Sequence, residues 1–359
     1  MKKLRCLVSA FLVVVANCLA LAGAPKISVE SLPDLVVAGT NPQQGVAGAF
    51  SALVAGKIVV AGGCNFPEKS PADGGKKVYY DTIWELDLGV PEAGWRISDH
   101  KLPAPAAYGV SASYWLGGEN AEKKLDTALL PPPELCPALS LPVTLDNAAG
   151  SATTIAGGNA DGAPATKAFS LDKESSTWCE LPDFAGNPRA QPVCGFVKTP
   201  RGKAFALVGG FAFYKEKNAA VVDCAGVVYF PEEKKWERIP ALPAEVSGAG
   251  LVGAAAMEYD GGLLIVGGVN AKIFKNALEN PAPDYLRHEA EWYKFNADVL
   301  FLSFDNNGKA VWQKLGSAPE LARAGASLVP IGDGEFVYVC GELKPGFRST
   351  KCVRVKIEK

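Results

Sequence analysis

The chain of 359 residues carries 36 Lys+Arg against 38 Asp+Glu and only two histidines, His100 and His288. That balance, with no basic block, excludes a nucleic-acid binder or a protein held electrostatically on an anionic membrane; two histidines exclude a His-rich metal site. Hydrophobic residues at 48% and charged residues at 21% are those of a globular protein, and 38 Gly with 26 Pro among Val-rich runs predict an all-β chain with many turns.

From the start, residues 1–5 (MKKLR) are basic, 7–16 (LVSAFLVVVA) apolar, and Ala20-Leu21-Ala22 forms a small-x-small cleavage site. This predicts a secretory signal over residues 1–22 and an exported body over 23–359, free of the membrane after cleavage. The apolar stretch is short for a span and has no basic stop behind it, and Val15-Ala16-Asn17 before Cys18 is a weak lipobox. Lys2, Lys3 and Arg5 leave with the signal, so the body keeps 33 basic against 38 acidic residues. Cys6 and Cys18 leave too. The other cysteines (64, 136, 179, 194, 224, 340 and 352) include no CxxC pair, which removes zinc-ribbon and thioredoxin-like readings. Most lie in apolar strand-like runs, where buried free thiols are expected.

A short apolar run ending in a glycine pair then recurs: IVVAGG (58–63), SYWLGG (113–118), TTIAGG (153–158), ALVGG (206–210) and LLIVGG (263–268), with FVYVCG (336–341) carrying Cys at the first Gly position. The first members fall at 62, 117, 157, 209, 267 and 340, steps of 55, 40, 52, 58 and 73 residues, close to the ~50-residue period of a kelch blade. After most pairs comes a third strand, DTIWELD (81–87), TKAFSLD (166–172), AGVVYF (225–230) or DVLFLSFD (298–305), then a Trp with a downstream Pro: Trp95/Pro103, Trp178/Pro182, Trp236/Pro243 and Trp312/Pro319. The pattern predicts a six-bladed kelch-type β-propeller in one domain, with the glycine pairs letting inner strands approach the axis and each Trp packing on a neighbouring blade. The C-terminal TKCVRVKI (350–357) reads as a third strand with no fourth behind it, so the fourth must be the N-terminal KISV (26–29), clasping the ring shut. The shortened intervals before Gly117 and Gly157 predict short strands in blades two and three. DYLRHEAEWYK (284–294) has helical spacing and predicts an inserted helix in blade five, external or lid-forming, with His288 a solvated helix residue and His100 structural.

GVAGAF (45–50), AGGCNFP (61–67), GGKKVYYDTIWELD (74–87), AYGVS (107–111), GGEN (117–120), GGVNxxIF (267–274), FLSFD (301–305) and GELKPGFR (341–348) together resemble the N-acetylneuraminate epimerases, sialic-acid mutarotases of the kelch class, in their cyclically permuted branch. The resemblance spans about residues 26–357 and implies a propeller that anomerises a sugar acid with no metal or redox cofactor. It implies Glu342 as the catalytic acid–base and Arg348 as its partner, able to hold the substrate carboxylate in a planar fork. The plain alternative is an ion pair that only staples the loop. Arg189 and Gln191 match a PR-x-Q element, while Asn65, Glu119, Asn159 and Asn270 follow their glycine pairs and Arg323 opens the inner strand of blade six; all are candidates for the sugar. Where relatives place Arg two residues before the Tyr-Gly of AYGVS this chain has Ala106, which implies a gap in the pocket. Mutarotation between a sialidase and an importer suggests the periplasm. A non-catalytic kelch module binding a sugar or a protein partner is the competing class, since fold does not dictate function; a copper radical oxidase needs two histidines in the channel loops and is discarded. Oligomeric state and cysteine pairing are left open.

Overall fold

A computed structural model of the chain describes residues 25–358 except 133, 136, 244, 245 and 247. The expected signal over 1–22 and Cys136 lie outside the described residues. Six four-stranded antiparallel sheets follow one another along the chain. In blade one Phe50–Val54, Lys57–Ala61, Thr82–Asp87 and Arg96–Lys101 pair in that order. Blades two to five start from the inner strands Val110–Ser111, Ala149–Ser151, Val193–Thr199 and Ala254–Tyr259. Each inner strand adjoins the inner strands of the blades before and after it, and Phe50–Val54 adjoins Ser327–Gly332 of blade six, so the ring is closed.

The closure is the expected one. Lys26–Leu32 pairs antiparallel with Cys352–Glu358, from Lys26 opposite Glu358 to Leu32 opposite Cys352. Blade six is therefore built from both ends of the described chain, and its outer edge is covered. Strands in blades two and three are short, three residues or fewer in the two inner strands of each, because the hairpins there lack the residues to extend them.

The glycine pairs do a different job from the one expected. Gly62 and Gly63 adopt φ of 69° and 83°, and a Cβ on Gly62 would lie 2.3 Å from the carbonyl oxygen of Ala106 in the next blade. Gly63 N–H donates to that same carbonyl. The pair thus brings adjacent blades together at the hairpin end, rather than bringing strands to the axis. The Trp–Pro pattern also has a cause in blade contact: the indole N–H groups of Trp95, Trp236 and Trp312 donate to the carbonyls of Pro33, Pro182 and Pro240 on the preceding blade. Trp178, in irregular blade three, has a buried Nε1 with no such partner among the described residues.

The inserted helix is displaced from its expected position. The α-helix runs Ala271–Glu279, capped by the Asn270 side chain, while 284–294 breaks into two 3₁₀ turns, Tyr285–Arg287 and Ala290–Tyr293. Pro281 and Pro283 stop the helix from continuing, and aromatic packing organises the rest: His288 stacks on Trp292 at 3.9 Å, with Tyr285 edge-on to Tyr293. His288 is therefore a packed residue. Nor is the segment external: Arg287 bonds Asp73 and the Ala72 carbonyl of blade one, and Lys344 Nζ donates to the His288 carbonyl. His100 lies exposed on the outer strand of blade one. No helix among the described residues is long and apolar enough to cross a membrane. The described cysteines are free thiols, and Cys64, Cys194, Cys340 and Cys352 are buried.

Candidate active site

The inner strands open on small residues, as in VAGAF (46–50), NAAGS (147–151), VGAAAM (252–257) and RAGAS (323–327). Side chains of that size cannot fill the axis, and a cavity of about 320 Å3 remains there, within the size range of small-molecule sites. Its polar border includes Glu342, Tyr108, Gln191 and Asn147, with Phe211 and Phe274 as apolar walls.

Glu342 opens a two-stranded hairpin, Glu342–Lys344 with Phe347–Arg348, in which Glu342 stands directly opposite Arg348. The Pro345-Gly346 turn explains the spacing: it folds the chain back so that residues six apart become cross-strand neighbours. Gly346 N–H donates to Glu342 Oε1 at 3.0 Å, and Arg348 Nη1 lies 2.8 Å from the same oxygen. Both contacts fall on Oε1, and Oε2 accepts no hydrogen bond among the described residues. Arg348 is only 3% exposed. Its Nη2 reaches the Tyr108 hydroxyl at 3.5 Å, and its guanidinium lies over the Phe66 ring. Burial alone would lower the guanidinium pKa, but the Glu342 charge reverses this and raises it, so the cation is fixed. Tyr108 in turn lies 3.2 Å from Cys64 Sγ. Burial pushes both the phenol and the thiol above their ordinary values.

A second polar network borders the first. Lys124 pairs with both Glu119 and Asp146, Tyr79 donates to Glu119, and Asn159 donates to Asp146. Burial raises the Glu119 pKa, but hydrogen bonds from Lys124 and Tyr79 outweigh it and hold the carboxyl below its usual range. Asn147 also donates to Asp146, and Gln191 Nε2 donates to Asn147 Oδ1 at 3.0 Å, which ties this network to the cavity border.

The structure divides the sequence-derived candidates. Glu342 and Gln191 line the cavity, and Arg348 supports Glu342 from behind. Glu119 and Asn159 belong to the adjoining network, and Asn270, spent on capping the helix, faces a smaller cavity that also touches Glu342. Three candidates are not presented to a ligand. Arg189 is 3% exposed and binds the carbonyls of Gly209 and Ala225 and the Asp223 carboxylate. Arg323, 1% exposed, binds the carbonyls of Glu320, Cys340 and Lys351. Asn65 is fully buried between the Gly45 carbonyl and the Tyr80 hydroxyl. In each case unpaired backbone carbonyls or a neighbouring hydroxyl claim the polar group, as buried acceptors require.

Ala106 is corrected on the same ground. The carbonyls of Ala106, Arg189 and Arg323 each accept from the second glycine of the preceding blade, so the three positions are equivalent. Ala106 packs with Leu102, Trp115 and Leu125 in the blade wall, and leaves no gap in the cavity. The guanidinium of Arg348 faces Glu342 through Nη1 and Tyr108 through Nη2, and its buried Nε and Nη1 have no hydrogen-bond partner among the described residues. Lys77, whose ammonium lies 5.0 Å above the Tyr108 ring, has no ion pair among the described residues. Sequence reasoning passed over Tyr108, Asn147 and Lys77. Two of them sit inside motifs it had quoted, AYGVS and GGKKVYYDTIWELD, and the usable signal was a polar residue in an otherwise small or apolar run.

A closed six-bladed ring with a carboxylate on an axial cavity, paired to a buried guanidinium behind it, defines a propeller with a small-molecule site. A family model described as N-acetylneuraminate epimerase matches residues 139–359, more than half of the chain, and the chain belongs to that family. Relatives named N-acetylneuraminate epimerase include those of Brucella melitensis (28% identical over 209 residues, 53% of this chain and 50% of the relative), Yersinia enterocolitica (32% over 196 residues, 50% and 46%) and Pasteurella multocida (29% over 203 residues, 52% and 50%). The chain thus spans about half the length of the curated relatives it matches. A solved structure titled "Structure of YjhT" aligns with 69% of this chain and 61% of its own at 22% identity and a TM-score of 0.45.

Proposed function

We propose that this protein interconverts the α and β anomers of N-acetylneuraminate, in the periplasm, by acid–base opening and closing of the sugar ring. One observation carries the reading: Glu342 stands on the axial cavity with Oε1 held by Gly346 and Arg348 and Oε2 uncommitted. Anomerisation needs a group that removes the proton of the anomeric hydroxyl, delivers a proton where the ring oxygen leaves, and reverses both after the freed ketone turns its other face. A carboxylate anchored through one oxygen can carry that proton on the other. The Arg348 guanidinium, 2.8 Å from Oε1, orients the carboxylate for the first transfer. Lys77, whose ammonium lies 5.0 Å above the ring of the cavity-lining Tyr108, is the candidate cation for the carboxylate of the sugar acid.

Family membership and the names of the relatives support the substrate. Their half-length alignment supports the permuted order: GVAGAF precedes residue 139 here, whereas in the unpermuted order it follows GELKPGFR, and a collinear match must break between them. The basic, apolar and small-x-small pattern of residues 1–22 supports export. The deciding experiment follows freshly released α-N-acetylneuraminate by NMR with and without the protein. Acceleration over the spontaneous rate is expected. An unchanged rate would leave a binding propeller with a loop-stapling ion pair as the better account.

A further inference from the structure

Glu342 and Arg348 leave one chemically active group on the cavity border without a role. Tyr108 sits at φ 58°, in the left-handed region that a bulky residue rarely adopts, so its backbone is held there by surrounding structure. Gly48 makes the room: a Cβ at that position would lie 2.6 Å from Tyr108 Cδ1 and 2.9 Å from Cε1. The Tyr108 and Gly48 backbones are also joined by a hydrogen bond from Tyr108 N–H to the Gly48 carbonyl. Two separate motifs, GVAGAF and AYGVS, thus cooperate to lay one phenol against the cavity. Its hydroxyl is placed between Cys64 Sγ at 3.2 Å and Arg348 Nη2 at 3.5 Å. The guanidinium therefore touches a carboxylate through Nη1 and a phenol through Nη2.

We infer that Tyr108 is a second proton carrier, serving the ring oxygen while Glu342 serves the anomeric hydroxyl. The inference rests on the mutarotase reading. In ring opening Glu342 takes the anomeric O–H proton, the electron pair of that bond forms the ketone, the bond from the anomeric carbon to the ring oxygen breaks, and the departing oxygen takes the Tyr108 proton. Glu342 is now a carboxylic acid and Tyr108 a phenolate beside Arg348. After the ketone turns, the phenolate recovers the proton from the chain hydroxyl as that oxygen attacks, and Glu342 returns its proton to the new anomeric oxygen. No proton is gained or lost. Throughout, Arg348 faces one anion, first the carboxylate and then the phenolate, and the negative charge shifts between its two nitrogens without leaving it. Burial and the neighbouring thiol keep Tyr108 protonated at neutral pH, and an alkoxide leaving group is basic enough to take a phenol proton.

The test is Tyr108→Phe, which keeps the ring and its packing on Gly48 and removes the hydroxyl, with its proton and the acceptor for Cys64 and Arg348. The turnover of α-N-acetylneuraminate should fall by roughly 10²-fold or more, with half-saturation and melting temperature near those of the parent. The solvent deuterium effect should change with it, because the parent moves a proton at each of two oxygens and the variant at one. A structural role would move the melting temperature and leave the isotope effect alone. Substituting 3-fluorotyrosine at 108 gives a second arm, since a more acidic phenol with the same shape should shift the alkaline limb of the pH–rate profile downward. If the parent accelerates anomerisation and Tyr108→Phe does so equally well with the same isotope effect, the second carrier is refuted while the mutarotase reading stands. If Glu342→Gln and the parent both leave the spontaneous rate unchanged, the two fall together.

Discussion

Replacing Glu342 by Gln isolates the proton from the shape. The amide oxygen can still accept from Gly346 N–H and from Arg348, so the hairpin keeps both contacts now made by Oε1. What is lost is the charge opposite a guanidinium only 3% exposed. Removing one partner of a fully buried pair costs about 3–5 kcal/mol. The Glu342 side chain is 25% exposed and the amide still bonds, so about 1–3 kcal/mol is expected here. For a protein this large that is a fall of a few degrees in melting temperature, about 2–4 °C per kcal/mol or less. The effect on the reaction should be far larger, about 10²–10⁴-fold, equal to roughly 3–5 kcal/mol of barrier. The rate is read by NMR from freshly released α anomer, well below the melting transition, after subtracting spontaneous anomerisation. Glu342→Ala, which loses both acceptors, should melt lower than Glu342→Gln at equal inactivity. A Glu342→Gln protein that is folded and anomerises as fast as the parent would refute the acid–base assignment and leave the ion pair a staple.

Three further outcomes follow from the fold. Deleting residues 26–34 removes a strand paired over seven residues, at about 1 kcal/mol net per hydrogen bond; since native stability is itself only about 5–15 kcal/mol, the ring should fail to melt cooperatively, and an unchanged melting temperature would sink the closure argument. Ala106→Arg should overpack the wall around Leu102 and Leu125 and cost about 1–3 kcal/mol with half-saturation unaltered; a change in sugar affinity on a stable protein would return that position to the pocket. Glu85 is held at a pKa of about 2, because hydrogen bonds from Arg96, Ser98 and Lys57 outweigh the upward effect of burial. Its contribution is present above about pH 4.5 and is lost as pH falls toward 2, so Glu85→Gln should flatten the melting-temperature profile across that window, and an unaltered profile would contradict the assignment.

Much of this molecule was written in local pattern. The repeated glycine pairs and the Trp–Pro spacing determined the blades, because strand pairing within a blade mostly joins segments adjacent in the chain, and the third strand at 350–357 left without a fourth behind it marked where the N-terminal strand closes the ring. Glu342 and Arg348 were legible for the same reason: a tight Pro-Gly turn between residues six apart leaves them little choice but to face each other. Side-chain direction was another matter. Arg189, Arg323, Asn65 and Glu119 read much like Glu342 in sequence, as polar residues beside a blade hairpin. Which of them reached the axis depended on the acceptors that folding brought within range. The carbonyls of Ala225 and Lys351 lie 36 and 28 residues from the arginines that bind them, and Lys124 and Tyr79 claim Glu119 from opposite sides. A long polar side chain turns toward whichever unsatisfied buried group it can reach, and a one-dimensional pattern does not contain those distances. The same holds for Tyr108, whose hydroxyl meets Arg348 from 240 residues away: the sequence placed it in a motif, and only the closed ring set it beside the guanidinium.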